Sequence, residues 1–298
     1  MRHSSNPGTS IDSINQILEP GVYYVRVYPG VSGAKTNYSL ELKTVKLTGD
    51  VENKGLWKDG QGENRNEPDL FYTNGVNLYR YSTSGRTDQG IESDKNTIVV
   101  IHGRGASSED SNIKALAMAA ANVYEGKGYQ VLSLDWQNPA KDPLIIPYTA
   151  ARSIAPVAEW AVSTLKKLGI APQQISLFGH SLGSYVSEEI GRGFGKVRSL
   201  IALDPASPGA MYDLDGNRAD NQLAKDFRDV ADNSLALVAS NEYGIFGSVA
   251  GDNNRAATAK ESFVVRFNGY SRNDDKNGVY HNGVVDVFKD LMSSREEN

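Results

Sequence analysis

The sequence predicts an α/β protein with a mostly parallel central sheet, helices on both faces and a small N-terminal β segment. From about residue 71 onward, short apolar runs alternate with segments that are apolar at helical spacing. The runs are almost continuously apolar, which is typical of parallel strands buried on both faces. A chain of 298 residues can hold one large domain with a small appendage.

The N-terminal segment, residues 1–46, has a different pattern. Residues 21–28 and 38–42 alternate in period two around a Gly-rich turn, which predicts a β-hairpin. The stretch LEPGVYYVRVYPGVSGAKTNYSLELK resembles the last strands of the bacterial pre-peptidase C-terminal domain, a small β-sandwich. Two strands are too few for a sandwich, so we expect a β appendage without a ligand, with calcium or polymer binding as the alternative.

Residues 47–70 and 71–298 are predicted to be a linker and the main domain, respectively. Gly, Asn, Asp and Glu dominate the first of these ranges, which favours a linker or surface loops. In the main domain, apolar runs predict strands at 97–101, 129–134, 174–178, 198–203, 235–240 and 262–267.

Helices are predicted between these strands. Ser107, Ser108 and Asp110 are candidate N-caps before the first helix, and Gly169 is placed to end the second. A third helix should follow residue 183, and a terminal amphipathic helix should follow His281. The apolar positions that predict the first two helices are Ile113, Leu116, Ala120 and Val123, then Ile154, Val157, Ala161, Leu165 and Leu168.

A serine lies at the corner between the third predicted strand and its helix, within Gly179-His180-Ser181-Leu182-Gly183. A G-x-S-x-G pattern alone is weak, since roughly 0.3 chance matches are expected in a chain of this composition. Here an apolar strand precedes it and a helical pattern follows, as in the nucleophile elbow of the α/β-hydrolase fold. Gly179 and Gly183 fit the close approach of strand and helix at such a corner.

A serine nucleophile needs a base, and the chain has four histidines. His3 lies in a polar segment, and His180 is on the far side of the corner from Ser181. His102 ends a strand and is expected to brace a loop. His281 alone lies downstream of Ser181, and the fold orders its triad as Ser, acid, His. We therefore predict His281 as the general base.

Two carboxylates could orient His281. Asp204 ends the strand after the nucleophile strand, and Glu242 follows a later one. Either could accept the Nδ1–H of the histidine, so the residues themselves leave both open. An oxyanion hole is predicted from the backbone N–H groups of Arg104, after the strand TIVVIHGRG, and of Leu182.

The segments IVVIHGRG, VLSLDW, ISLFGHSLGS, IALDPASPG and VYHNG together resemble the pancreatic-type lipase family over about residues 97–290. The resemblance implies that Asp204, rather than Glu242, is the triad acid. It also implies hydrolysis of lipid esters, either acylglycerols or the sn-1 position of phospholipids. Lipases of this family carry an amphipathic lid before the histidine, whereas residues 269–280 are short and mostly polar. The lack of an apolar lid face predicts little interfacial activation and a preference for phospholipids or soluble esters.

Asp226, Asp229 and Asp232 are spaced three apart and are candidate calcium ligands, with a solvated acidic helix face as the alternative. The predicted chemistry requires no cofactor. The competing functions are an acyltransferase or thioesterase using the same triad, and a catalytically inactive binding module on a hydrolase scaffold.

Composition excludes several classes. A net charge of −5 gives no reason to expect nucleic-acid binding, and no apolar run reaches the roughly 18 residues of a spanning helix. The absence of cysteine excludes disulfides, thiol catalysis and thiolate zinc sites. The resemblance implies a secreted bacterial protein, although the first residues lack the apolar region of a signal peptide. The expected partner is a carboxylic-ester substrate, and oligomeric state is left open.

Overall fold

The computed structural model describes residues 47–51, 56–58, 64–66, 73–141, 149–206, 226–239, 242–243, 249–267 and 279–294. The hairpin predicted within residues 1–46 and the polar stretch 268–278 lie outside these described ranges. No helix in the described ranges is long and apolar enough to cross a bilayer.

Strands and helices alternate through most of the described chain. The strands are β1 (Thr48–Val51), β2 (Leu56–Lys58), β3 (Asn64–Asn66), β4 (Thr73–Ser82), β5 (Gly85–Thr87), β6 (Asn96–Ile101), β7 (Tyr129–Asp135), β8 (Ile175–His180), β9 (Val197–Leu203), β10 (Ala231–Val238), β11 (Glu242–Tyr243), β12 (Val249–Ala250) and β13 (Glu261–Val264). The α-helices are α1 (Ser111–Tyr124), α2 (Thr149–Lys167), α3 (Gly183–Phe194), α4 (Phe227–Val230), α5 (Asn253–Ala256) and α6 (Val279–Ser294).

A nine-stranded sheet forms the centre, in the order β1-β4-β7-β6-β8-β9-β10-β13, with β5 paired to β4. Neighbouring strands from β7 to β13 run parallel, and the pairings of β4 are antiparallel. β8 lies between β6 and β9, so its carboxyl end meets theirs at one edge of the sheet. This sheet, with helices on both sides, confirms the predicted α/β-hydrolase fold.

The apolar core forms two layers, one on each face of the sheet. On one face, side chains of α2 and α3 such as Val157 and Val186 pack against the strands. On the other face, α1 and α6 supply residues such as Leu116, Val284 and Phe288. Each helix buries one apolar side against the sheet, as its spacing predicts.

Several elements differ from the prediction. Thr48–Val51, predicted as part of a linker, pairs with β4 as an antiparallel strand of the main sheet. β4 itself was not among the predicted strands. β10 begins at Ala231 rather than 235, and β13 ends at Val264 rather than 267.

The ends of three helices also bear on the prediction. Asp110 is the N-cap residue of α1, but its side chain accepts a hydrogen bond from Ser107 Oγ (2.7 Å) instead of capping the helix. His281 lies within the first turn of α6, not before it. Gly169 has φ of 77° and follows Leu168 just after the last residue of α2, so a glycine ends that helix as predicted.

Candidate active site

Ser181 lies at a strained corner where β8 turns into α3. Its φ of 56° is in the left-handed region, which costs a non-glycine residue roughly 1–2 kcal/mol. The corner is held by backbone hydrogen bonds: Ser181 N–H donates to Leu203 O (2.9 Å), and Ser184 N–H donates to Ser181 O (3.1 Å). The strain is therefore imposed by the neighbouring strand and by the start of the helix.

The two glycines of the corner lie where no side chain fits. A Cβ at Gly179 would overlap the carbonyl of Gly183, and a Cβ at Gly183 would overlap the carbonyl oxygen of Ile101. Both obstacles are backbone atoms, which cannot swing aside. Glycine at these two positions is what lets α3 pack closely against β8 and β6.

Asp204 and His281, which are far apart in sequence, are joined by a hydrogen bond. Nδ1 of His281 lies 2.6 Å from Oδ2 of Asp204, whose side chain is fully buried. The other carboxylate oxygen accepts from Ala239 N–H at 2.6 Å, and Asp204 N–H donates to Leu237 O at 2.7 Å. These contacts hold the carboxylate at the carboxyl end of β9 with its second oxygen directed at the imidazole.

His281 is brought beside the serine corner by contact with His180. The two imidazole rings lie with centroids 4.5 Å apart, and Nε2 of His180 is 2.9 Å from the carbonyl oxygen of His281. His180 is adjacent to Ser181 in the chain. The structure therefore places Ser181, Asp204 and His281 at the same end of the sheet.

The loop after β6 lies against Ser181 through Gly103. A Cβ built on Gly103 would lie 2.6 Å from Ser181 Cβ and 3.0 Å from its Oγ. Sequence reasoning selected Arg104 and missed this glycine, because the requirement arises only when β6 and β8 are side by side. The Arg104 side chain is exposed and its backbone follows Gly103 directly.

His102 braces this loop, as expected. Its ring is fully buried, its Nδ1–H donates to Gly103 O (2.9 Å), and it stacks on Trp136. Nε2 lies 2.9 Å from the main-chain nitrogen of Trp136 and 3.1 Å from Oδ1 of Asp135. The imidazole thus joins the ends of β6 and β7 beneath the loop.

The carboxylates considered for calcium do not converge. Asp226 pairs with Arg228 (3.3 Å), while Asp232 lies on β10 opposite Lys196 (3.5 Å). Among the described residues, no group of three or more His, Cys, Asp or Glu side chains could hold a metal ion. Asp226, Asp229 and Asp232 therefore do not come together as one group of ligands among the described residues. Glu242 pairs through its backbone with Ala250, and its side chain lies outside the described part.

The sequence matches a model of a known protein family. The family model described as Lipase matches residues 66–250, more than half of the sequence. The chain belongs to the lipase family. The matched region of this lipase family member includes Ser181 and Asp204 and ends before His281.

The relatives of this lipase family member include proteins named for two different activities. Pancreatic triacylglycerol lipase of Oryctolagus cuniculus is 28% identical over 145 residues, which are 47% of this chain and 30% of the relative. Phospholipase A1 of Vespula vulgaris is 31% identical over 143 residues, 43% of this chain and 40% of the relative. The match thus spans well under half the length of these relatives.

Solved structures with a similar chain path include Est1E from Butyrivibrio proteoclasticus, with TM-score 0.44 and 16% identity over 75% of this chain and 96% of that one. An esterase from Pyrobaculum calidifontis has TM-score 0.42 and 17% identity over 86% of each chain. TM-scores this low support no conclusion about the function of this lipase family member.

Proposed function

We propose that this chain is a serine carboxylic-ester hydrolase of the lipase or phospholipase A1 type, with Ser181 as nucleophile, His281 as general base and Asp204 as the orienting acid. One observation carries the proposal. The Asp204–His281 hydrogen bond of 2.6 Å lies beside a serine held at a strained strand-to-helix corner. Strained non-glycine residues are concentrated at functional sites.

The proposed chemistry begins with the Asp204 carboxylate, which accepts the Nδ1–H of His281. That bond leaves the lone pair of Nε2 to take the proton from Ser181 Oγ as the oxygen attacks the ester carbonyl. The imidazolium then protonates the departing alcohol. Water, activated by the same histidine, releases the acid from the acyl-serine, so no organic cofactor is needed.

Two backbone donors are proposed for the oxyanion. Leu182 N–H lies at the N-terminus of α3, where helix amides point outward. Arg104 N–H comes from the loop whose preceding carbonyl, that of Gly103, is bonded by His102. In a trans peptide the C=O and the following N–H point in opposite directions, so fixing that carbonyl also fixes the direction of the Arg104 N–H. Loss of one such donor costs on the order of 10²–10³ in kcat.

The substrate class is proposed from the family. A relative named as a triacylglycerol lipase and one named as a phospholipase A1 match similar shares of the chain at similar identity, so the choice between these substrates belongs to experiment. We favour phospholipids or soluble esters because the stretch before His281 is polar in sequence. We also propose that the protein is secreted, on the family resemblance alone.

The first experiment identifies the triad. Ser181→Ala should abolish stoichiometric labelling by a fluorophosphonate, and Asp204→Asn should lower kcat by about 10³–10⁴, because an amide cannot stabilise the imidazolium. Glu242→Gln is the matched control and should change kcat by less than about twofold. Equal losses in both carboxylate variants, or an active Ser181→Ala protein, would contradict the assignment.

The second experiment defines the reaction. Short esters, triglyceride emulsion and defined phospholipid vesicles are offered with and without a chelator and an acceptor alcohol. We expect hydrolysis that is insensitive to the chelator and dominated by free acid over transferred acyl product. Loss of activity on chelation would require a metal site other than the three aspartates, and dominant transfer to the alcohol would favour an acyltransferase.

A further inference from the structure

His180 makes two contacts with His281 that the proposed chemistry does not use. Its Nε2 lies 2.9 Å from the carbonyl oxygen of His281. A carbonyl can only accept, so Nε2 carries the hydrogen and the tautomer of His180 is fixed. The faces of the two rings also meet, with centroids 4.5 Å apart and planes at 38°. His180 is almost fully buried, at 4% exposure, so both contacts are shielded from water.

The contacted carbonyl belongs to the first turn of α6. Within a helix that oxygen also accepts from the N–H four residues later, so the Nε2–H of His180 binds the second lone pair of the carbonyl oxygen. The hydrogen bond therefore attaches the backbone of α6 to the end of β8 without disturbing the helix. Because Ser181 is the next residue after His180, the attachment point is one peptide unit from the candidate nucleophile.

We infer that His180 is a positioning residue, whose Nε2–H fixes the first turn of α6 and whose ring face fixes the plane of the His281 imidazole. Asp204 holds that imidazole by one edge only, and rotation about the Nδ1–Oδ2 direction is left to other contacts. A ring packed against its face removes this freedom. The inference rests on the proposed function, since it concerns the orientation of the proposed base.

Other contacts hold α6 at other residues. Asn112 Nδ2 donates to Asn282 Oδ1 at 3.1 Å in an exposed position, and Phe267 stacks on Tyr280 at 5.3 Å. Farther along α6, Phe288 meets Phe178 edge to face at 5.2 Å. These contacts dock α6 on α1, on the segment after β13 and on β8, whereas the His180 contact acts on the proposed base itself.

The charge state of His180 suits this role. His281, Asp204 and His102 are the titratable groups that act on it. Burial lowers the pKa of His180 far below its ordinary value, and the nearby charge of His281 lowers it further. His180 is therefore neutral at the pH of catalysis, and it adds no positive charge beside the imidazolium that forms on His281.

Three substitutions separate the two contacts. His180→Gln keeps an N–H donor without the ring, His180→Phe keeps a ring without the donor, and His180→Leu removes both. The matched control is Phe178→Leu, which lies on the same strand and the same face of the sheet and also packs on α6, through Phe288. Each kcat is calculated per active site titrated with the fluorophosphonate, so misfolded protein does not lower the value.

We expect His180→Leu and His180→Phe to lower kcat by about 10- to 100-fold with KM changed less than about twofold, the loss typical of a misplaced catalytic group. His180→Gln should recover kcat to within about threefold of the parent, and Phe178→Leu should lower thermal stability with kcat unchanged. The inference is overturned if His180→Leu retains the parent kcat, or if His180→Gln is as impaired as His180→Leu.

A readout that needs no substrate distinguishes failure of this inference from failure of the proposed function. The proton between His281 Nδ1 and Asp204 can be followed as a downfield resonance in the full-length protein. It should persist in His180→Gln and broaden or vanish in His180→Leu and His180→Phe. If the parent is not labelled by the fluorophosphonate, the proposed function fails, while persistence of the resonance in all three variants overturns the positioning role.

Discussion

At the scale of single residues, backbone strain and close approach mark the same few positions. Ser181 and Asp204 are the two non-glycine residues with positive φ in the described ranges, at 56° and 46°. Ser181 follows β8 and Asp204 follows the adjacent parallel strand β9. The backbone N–H of each donates to a carbonyl oxygen of the neighbouring strand. The strand ends therefore supply the candidate nucleophile and acid with fixed directions before any substrate arrives.

Gly103→Ala tests the close approach of the β6 loop to the serine. An added Cβ would lie 2.6 Å from Ser181 Cβ, so loop or serine must move, and we expect kcat to fall about 100-fold. The measurement is kcat on a soluble ester, with folding checked by circular dichroism. Gly126→Ala, where a Cβ would meet nothing within 4 Å, is the control and should behave as the parent.

His180 also predicts a pH dependence of stability. Its pKa is lowered in the folded protein by burial, whereas the unfolded chain titrates near the ordinary 6.5. Below about pH 6.5 the unfolded state binds a proton that the folded state does not, so stability is fully present above that pH and falls as pH decreases.

His180→Gln removes this contribution. Between about pH 7 and 4.5 the variant should lose about 2 kcal/mol less unfolding free energy than the parent, measured by urea denaturation at each pH. Parallel pH curves for the two proteins would show that His180 takes up a proton in the folded state.

Sequence reasoning reached some of these residues and not others, for a physical reason. His281 and Ser181 could be selected because a motif and a chain order restrict the choice among four histidines. The contacts of Gly103 with Ser181 and of His180 with His281 join positions that are distant along the chain. No local pattern encodes them: the pairing of β6 with β8 brings the first pair together, and the packing of α6 on the sheet brings the second.

At the scale of elements, hydrophobic runs predicted the central strands well, but they predicted edge strands and exposed strand ends poorly. β6 begins at Asn96, only one residue before the predicted start. The agreement is close because both faces of β6 are apolar, so its limits are clear in the sequence. β10 begins at Ala231, earlier than predicted, because Asp232 and Asn233 are exposed yet still pair along β9. β1 was predicted as linker because an edge strand needs only backbone pairing, which Thr48–Val51 provides without an apolar run.

A buried ion pair joins α3 to α5 behind the serine. Arg255 Nη2 lies 2.9 Å from Glu188 Oε2, with side-chain exposures of 11% and 0%. The guanidinium also lies over the rings of Phe227 and Tyr185, at 4.7 Å and 5.3 Å. Such a pair fixes the geometry of the helix that begins at the candidate nucleophile.

Arg255→Met should lower the unfolding free energy by about 3 kcal/mol, because it leaves the Glu188 carboxylate buried without its cation. The double variant Glu188→Met/Arg255→Met should recover at least half of that loss. Lys114→Met breaks the exposed Lys114–Glu109 pair (2.7 Å) and should cost less than about 0.5 kcal/mol. Urea denaturation measures all three, and a double variant as unstable as Arg255→Met would contradict the role of unpaired charge.

At the scale of the whole molecule, the fold extends past both limits of the family match. The family match covers residues 66–250, yet the proposed base lies at 281 on the last helix, and the sheet begins at Thr48. Leu47 also packs against the core, and its carbonyl accepts from Leu78 N–H at 2.9 Å. The folded unit therefore extends beyond the family match in both directions.

Deleting residues 1–46 should leave kcat within about twofold of the parent, because the sequence of this segment predicts a separate β appendage outside the main domain. Deleting residues 1–51 also removes β1 from the sheet and should lower the thermal midpoint by several degrees, roughly 4 °C or more. Calorimetry and ester hydrolysis measure both proteins. Equal stability of the two truncations would show that β1 contributes nothing to the fold.

The left-handed backbone at Ser181 has an evolutionary consequence. Glycine adopts that conformation without steric penalty, so the hydroxyl is kept against a thermodynamic preference of the chain. Laboratory selection for heat resistance alone should therefore favour glycine at this corner, and a lineage that no longer needs the proposed nucleophile would be expected to lose the serine early.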